Sequence, residues 1–131
     1  MSTALDNTNH VHDVQSSMVG LSVGGTLTLS AWQASSFYSR LRGLHGVPPL
    51  KMGEALIIMP CDSIHTLSMR SSIDVMFVDE TGVILLARTV PRFRFVRCKK
   101  ACAVIEMPEG SLVQLGLSQG LQLNRDKGQW R

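Results

Sequence analysis

Ile73-Asp74-Val75-Met76-Phe77-Val78 is an almost unbroken apolar run closed by Asp79-Glu80-Thr81-Gly82, and Val83 to Val90 follows it. A run of this length, rich in β-branched residues, reads as a strand buried on both faces. The four residues after it are hairpin signals, so Val83–Val90 is read as its return strand. The run is the second half of a longer stretch, Ser63 to Asp79. There His65-Thr66 and Met69-Arg70 stand directly against residues that must be core, and Asp74 lies inside the apolar run itself. Such local conflicts mark a functional group or a structural device.

The rest of the chain reads as more short strands. Thr26-Leu27-Thr28-Leu29 alternates as a half-buried strand does, with Gly24-Gly25 as a turn or bulge before it. Ala55–Met59 and Ala101–Met107 are short apolar runs bounded by turn residues. Ser35–Leu44 is the best helix candidate: Phe37, Leu41 and Leu44 form one stripe, and Pro48-Pro49 forbids continuation. Ser111–Leu115 reads as a helical turn after Pro108-Glu109-Gly110, and Leu121–Leu123 as a last edge strand. Pro91–Lys100 reads as a basic loop. Six or seven strands with a turn at nearly every junction predict a mainly β fold. The expected form is a compact β-sandwich or partly closed barrel with one short helix and a helical turn packed on it.

At 131 residues the chain is expected to hold one domain. Residues 1–17 are polar and aperiodic and are read as a disordered N-terminal tail, 18–124 as a single β domain, and 125–131 as a C-terminal tail. Net charge is +3, too small by itself to imply a nucleic-acid or membrane partner. Cys61, Cys98 and Cys102 are too few and oddly numbered for a disulfide framework, so reduced thiols and a cytoplasmic location are expected. No basic leader and no transmembrane run is evident. A monomer without cofactor is expected.

Three blocks carry a family likeness. They are Arg40-Leu41-Arg42-Gly43-Leu44, then Ser63-Ile64-His65-Thr66 through Met69-Arg70 to Ile73–Asp79 with Gly82-Val83, and then Val104–Gly110 with Leu115-Gly116-Leu117 and Gly120. On these the chain resembles the bacterial family catalogued as domain of unknown function 192, over about residues 35–123. The resemblance implies a small β-sandwich or barrel with one or two short helices. It implies no reaction. The chain departs from the usual pattern at His45-Gly46-Val47, where other members place a further apolar residue, a Gly and an Arg.

The candidate ligand pocket is His65, Thr66, Met69, Arg70, Asp74 and Glu106. His65 could be an acid, base or ligand, Arg70 could hold an anion, and Asp74 could orient either. The competing structural reading is that Asp74 pairs with Arg70 or accepts backbone N–H bonds where the strand begins. Cys61, His65 and Met69 recur at four-residue spacing, yet a real metal site needs more convergent ligands, and none is assigned. Arg92, Arg94, Arg97, Lys99 and Lys100 form the one basic segment. Phe93 and Phe95 alternate with its arginines, a composition suited to nucleic acid or another anionic surface. In an extended strand the two Phe side chains would share one side and the arginines the other. No nucleophile elbow and no phosphate-binding glycine loop is present. The expected function is a non-catalytic ligand- or partner-binding module. The alternatives are a small enzyme pairing His65 with Glu106 or Asp74, and an anion or nucleic-acid binder using Arg92–Lys100.

Overall fold

In the computed structural model, residues 18–34, 50–67 and 69–131 are described. The helix expected over Ser35–Leu44 and the tail expected over 1–17 lie outside them.

Among the described residues, nine strands and one short helix follow in chain order. They are β1 (Met18–Val23), β2 (Thr26–Ala34), β3 (Glu54–Ile58), β4 (Ser63–His65), β5 (Ile73–Val78), β6 (Ile84–Val90), β7 (Phe95–Arg97), β8 (Ala103–Pro108), α1 (Ser111–Leu115) and β9 (Asn124–Arg125). Seven strands form one curled sheet in the order β6-β5-β8-β3-β2-β1-β9, while β4 and β7 form a separate two-stranded ribbon. β2 and β3 run parallel and the other paired strands antiparallel. The mainly β architecture with a short helix is the one the strand pattern predicts.

β5 lies between β6 and β8, and all six of its residues are buried. That explains why Ile73–Val78 does not alternate: each face of the sheet has its own core. On the first face Met76 and Val78 join Ala55, Ile57, Ile105, Met107, Leu21, Leu29 and Trp130, and Leu112 and Leu115 of α1 pack against them. On the second face Ile73, Val75 and Phe77 meet Val90 and Val104, and the ribbon presses Ile64 and Val96 onto that cluster. Burying such side chains contributes about 1.5–3 kcal/mol each, and Cys61, Met69 and Cys98 beside the ribbon pack on the same cluster.

The β5–β6 hairpin turns where the sequence places it. Asp79 Oδ1 accepts the Thr81 N–H at 2.9 Å, the Thr81 hydroxyl at 2.8 Å and the Val83 N–H at 3.0 Å. Partial burial pushes the Asp79 carboxyl pKa up. The bonds from the Thr81 side chain and from the N–H groups of Thr81, Val83 and Gly82 together outweigh it and hold the pKa below the ordinary aspartate value. A carboxyl depressed in the folded chain stabilises above its unfolded pKa, and that contribution is lost as pH falls through the folded one. Asp79→Asn should therefore be less stable than wild type at neutral pH, by under about 1 kcal/mol because solvent screens the site. The two chains should converge only at acid pH, well below the ordinary aspartate pKa. Urea titrations at both pH values check this, and a gap that does not change with pH contradicts it.

Three readings differ from the structure. The edge strand expected over Leu121–Leu123 lies instead at Asn124–Arg125, where the chain pairs with β1. The loop Pro91–Lys100 contains β7, a strand with only one buried residue, Val96. Too little of it faces a core to show a period. The segment 125–131, read as a tail, carries Trp130 into the first core at 5% exposure. The Trp130 indole N–H donates to Leu123 O at 3.1 Å, and the Arg125 guanidinium lies 4.9 Å over its ring. Arg125 also donates to Gln129 O at 2.8 Å, to Met59 Sδ at 3.2 Å and to Gln33 Oε1.

Candidate functional site

The six residues of the expected pocket do not converge on one cavity. In register, Val75 stands opposite Glu106, and Glu106 opposite Leu56, so Glu106 points to the second face. Asp74 has the opposite parity on β5 and points to the first. Both carboxylates are 1% exposed. No hydrogen bond or ion pair joins His65 to either of them among the described residues. Two clefts, of about 590 and 470 Å³, open around Trp130 and Arg131, and none of the six residues lines either one.

Asp74 is a fastening point. Its Oδ1 accepts the Thr89 hydroxyl at 2.6 Å, and its Oδ2 accepts the N–H groups of Gly110 at 3.1 Å and Leu112 at 2.9 Å. Gly110, the residue before α1, has no side chain to cap the helix. A carboxylate from β5 supplies that cap. Both oxygens are spent on the scaffold. Arg70 is not its partner and is exposed.

Thr66 is a second fastening point. It is fully buried beneath the ribbon. Its hydroxyl donates to Pro91 O at 2.6 Å and accepts the Arg94 N–H at 2.9 Å. Its carbonyl accepts the N–H groups of Met69 at 3.2 Å and Phe93 at 3.3 Å. These bonds set the backbone between β6 and β7, where Phe93 takes φ 63. Positive φ is a real strain for a bulky residue. Thr66→Val leaves Pro91 O and the Arg94 N–H without their partner, and the expected loss is about 2–3 kcal/mol. Thr66→Ser keeps the hydroxyl and should stay within about 1 kcal/mol of wild type. Equal denaturation midpoints for Val and wild type would remove the assignment.

What Thr66 holds in place is the outer face of the ribbon. Ser63 pairs with Arg97, Ile64 with Val96, and His65 with Phe95. Ile64 and Val96 point inward, so His65, Phe95, Ser63 and Arg97 point outward. The backbone bonds Thr66 N–H to Arg94 O and Cys98 N–H to Asp62 O mark the hydrogen-bonded rungs at the two ends. By alternation His65 and Phe95 form a rung without such bonds, where side chains stand closest. Phe95 is 68% exposed, Phe93 58% and Leu67 59%. Phe93, with its left-handed backbone, lies just outside the regular alternation of β7, and Arg97 shares the outer face with Phe95.

Cations flank these apolar groups. Arg92 and Arg94 stand at one end of the ribbon, and Arg97, Lys99 and Lys100 at the other. The Arg92 guanidinium lies 4.6 Å over the Phe93 ring, and its Nε donates to Met69 O at 2.9 Å, which brings Arg70 beside it. Arg97 is paired with Asp62 at 3.3 Å. Among the described residues, Arg70, Arg88, Arg92, Arg94, Lys99 and Lys100 have no acidic partner. Sequence reasoning singled out the arginines and the two Phe residues but missed Leu67. Its signal was the alternation Ser63, His65, Leu67 out and Ile64, Thr66 in.

Among the described residues no helix is long and apolar enough to cross a membrane, and no three His, Cys, Asp or Glu side chains are grouped to hold a metal ion. The molecule is thus a curled β domain carrying an outward-facing amphipathic ribbon. The family model DUF192, an uncharacterized ACR, matches residues 19–125, and the chain belongs to that family. No curated protein matches it. A crystal structure from Sinorhizobium meliloti 1021, titled a "putative transcription regulator", is similar with a TM-score of 0.68 at 19% identity, covering 82% of this chain and 92% of that one. A protein of unknown function from Novosphingobium aromaticivorans DSM 12444 is similar with a TM-score of 0.66 at 17% identity, covering 82% of this chain and 83% of that one. At these identities the likeness concerns the fold alone.

Proposed function

We propose that this domain is a non-catalytic binding module and that the outer face of the β4–β7 ribbon takes a polyanionic partner. One observation carries the reading: Phe93, Phe95 and Leu67, on or beside the ribbon, are each exposed, and among the described residues Arg92, Arg94, Lys99 and Lys100 near them have no acidic partner. Clustered exposed apolar groups mark interaction surfaces, whereas scattered ones do not. The other exposed large apolar residues, Met18, Leu27, Met52 and Val113, are all aliphatic and sit on other elements. The local acids are spent, Asp62 on Arg97 and Asp74 on α1, and Glu106 is buried. Of the expected pocket, His65, Met69 and Arg70 border this surface, and Thr66 supports it. Among the described residues no carboxylate is bonded to His65, which supports binding over an acid–base pair.

The test is titration of the full chain against labelled heparin at low salt. Wild type should bind, with affinity falling steeply as salt rises. The double variant Arg92→Ala, Arg94→Ala should bind roughly tenfold or more weakly, since each lost cation removes released counterions. No binding at low salt, or a double variant that binds like wild type, rejects the reading.

A further inference from the structure

We infer that the partner is single-stranded nucleic acid, its bases stacked on Phe95, His65 and Phe93 and its phosphates held by the cations at the two ends of the ribbon. This rests on the polyanion reading above and adds what the aromatic rings are for.

Charge alone needs no rings. The outer face nevertheless presents two flat π systems side by side on the His65–Phe95 rung, with no sheet or helix of the described residues over them. Phe93 adds a third, held outward by a backbone in the left-handed region. The Arg92 guanidinium lies 4.6 Å over this ring, so a base stacked on its other face would have a cation beside it. Every base has a π face, and aromatic groups on an open β surface stack on the order of two or three of them. The ribbon spans five rungs, from Asp62–Cys98 to Thr66–Arg94. At about 3.3 Å per residue that is roughly 13 Å of platform, bounded by Arg92 and Arg94 at one end and Lys99 and Lys100 at the other.

Three other occupants fit less well. A duplex keeps its bases stacked inside and cannot offer them to these rings. An anionic membrane suits apolar groups at one tip with a cationic rim, whereas here Phe95 shares its face with His65 and Arg97. A second copy of the chain would bring like-charged surfaces together, Arg92, Arg94, Lys99 and Lys100 against the same residues.

The experiment is fluorescence anisotropy with the full chain and four probes: a labelled oligothymidine of about twelve nucleotides, a duplex of the same length, heparin, and phosphatidylserine-containing vesicles. Oligothymidine should bind more tightly than the duplex, with a log–log salt slope of about −0.7 for each phosphate contacted. Phe95→Ala should weaken oligothymidine binding roughly 5- to 150-fold and heparin binding by much less, while Phe95→Trp should retain oligothymidine binding. Phe95 is exposed, so the Ala variant should melt with wild type. If Phe95→Ala binds oligothymidine as wild type does while the arginine double variant does not, the stacking inference falls and the polyanion reading stands. A preference for duplex or for vesicles likewise overturns it. If no polyanion binds, both fall.

Discussion

Gly82→Ala should lower the unfolding free energy by about 2–5 kcal/mol. Two effects add. Gly82 has φ +91, where any side chain is strained by about 1–2 kcal/mol. A Cβ there would also stand 2.3 Å from Leu123 O and 2.6 Å from Trp130 Nε1. Those two atoms are bonded to each other at 3.1 Å, and the Leu123 N–H donates to Gly82 O at 2.8 Å. The methyl group therefore cannot be housed by one rotamer change. Either the Gly82–Leu123 bond opens or the indole leaves its place in the first core. Gly25→Ala is the control: it has φ +85 but open space around the added carbon, so it carries the strain without the collision. Urea denaturation of both variants isolates the clash. If Gly82→Ala loses no more than Gly25→Ala, the packing account of Trp130 is wrong.

Asp74→Ala is the second large effect, an expected loss of about 3–4 kcal/mol. It takes the acceptor from the N–H groups of Gly110 and Leu112 and from the Thr89 hydroxyl at once. Hydrogen bonds to a charged group contribute about 1.5–3 kcal/mol each, and only part is recovered by water reaching the exposed ends. Asp74→Asn should lose about 1–2 kcal/mol. Its amide oxygen can still accept the two N–H groups, and its amide nitrogen can donate to the Thr89 oxygen once that hydroxyl turns. The ordering Ala, then Asn, then wild type in denaturation midpoint is the signature of a fastening role. An Ala variant as stable as wild type would return Asp74 to the list of ligand-binding candidates.

The two assignments differ in how far they could be read beforehand. The Ile73–Val78 strand, the Asp79–Gly82 turn and the Ser111–Leu115 helix were legible residue by residue, because each carries a local signal: a run buried on both faces, a glycine turn, a proline and a glycine before a short apolar pattern. The sequence offers Asp74 two structural partners, Arg70 or backbone N–H groups where its strand begins, and it points to neither Gly110 nor Leu112. The choice depends on α1 folding back over the first face, which joins residues 36 and 38 positions apart.

The ribbon was less legible. β4 and β7 are three residues each, and each places a single apolar side chain in a core. One buried residue has no period. Their pairing joins segments about thirty residues apart and is decided by the fit of Ile64 and Val96 to the second core, not by any local preference. The apparent pocket dissolved for a related reason. His65, Asp74 and Glu106 look close in a list of polar residues, but strand parity sends Asp74 and Glu106 to opposite faces of one sheet.

By itself, then, the sequence determined the class of fold, its central hairpin, its family and the inventory of cations and aromatics in 92–100. Those follow from hydrophobic pattern, turn chemistry and composition, which act over a few residues. Only the tertiary structure decided that Asp74 and Thr66 are fasteners, that Trp130 belongs to the core, and that Phe93 and Phe95 face solvent beside the arginines. Each of those depends on which distant segment covers which face, and that is settled by packing two cores against a single sheet.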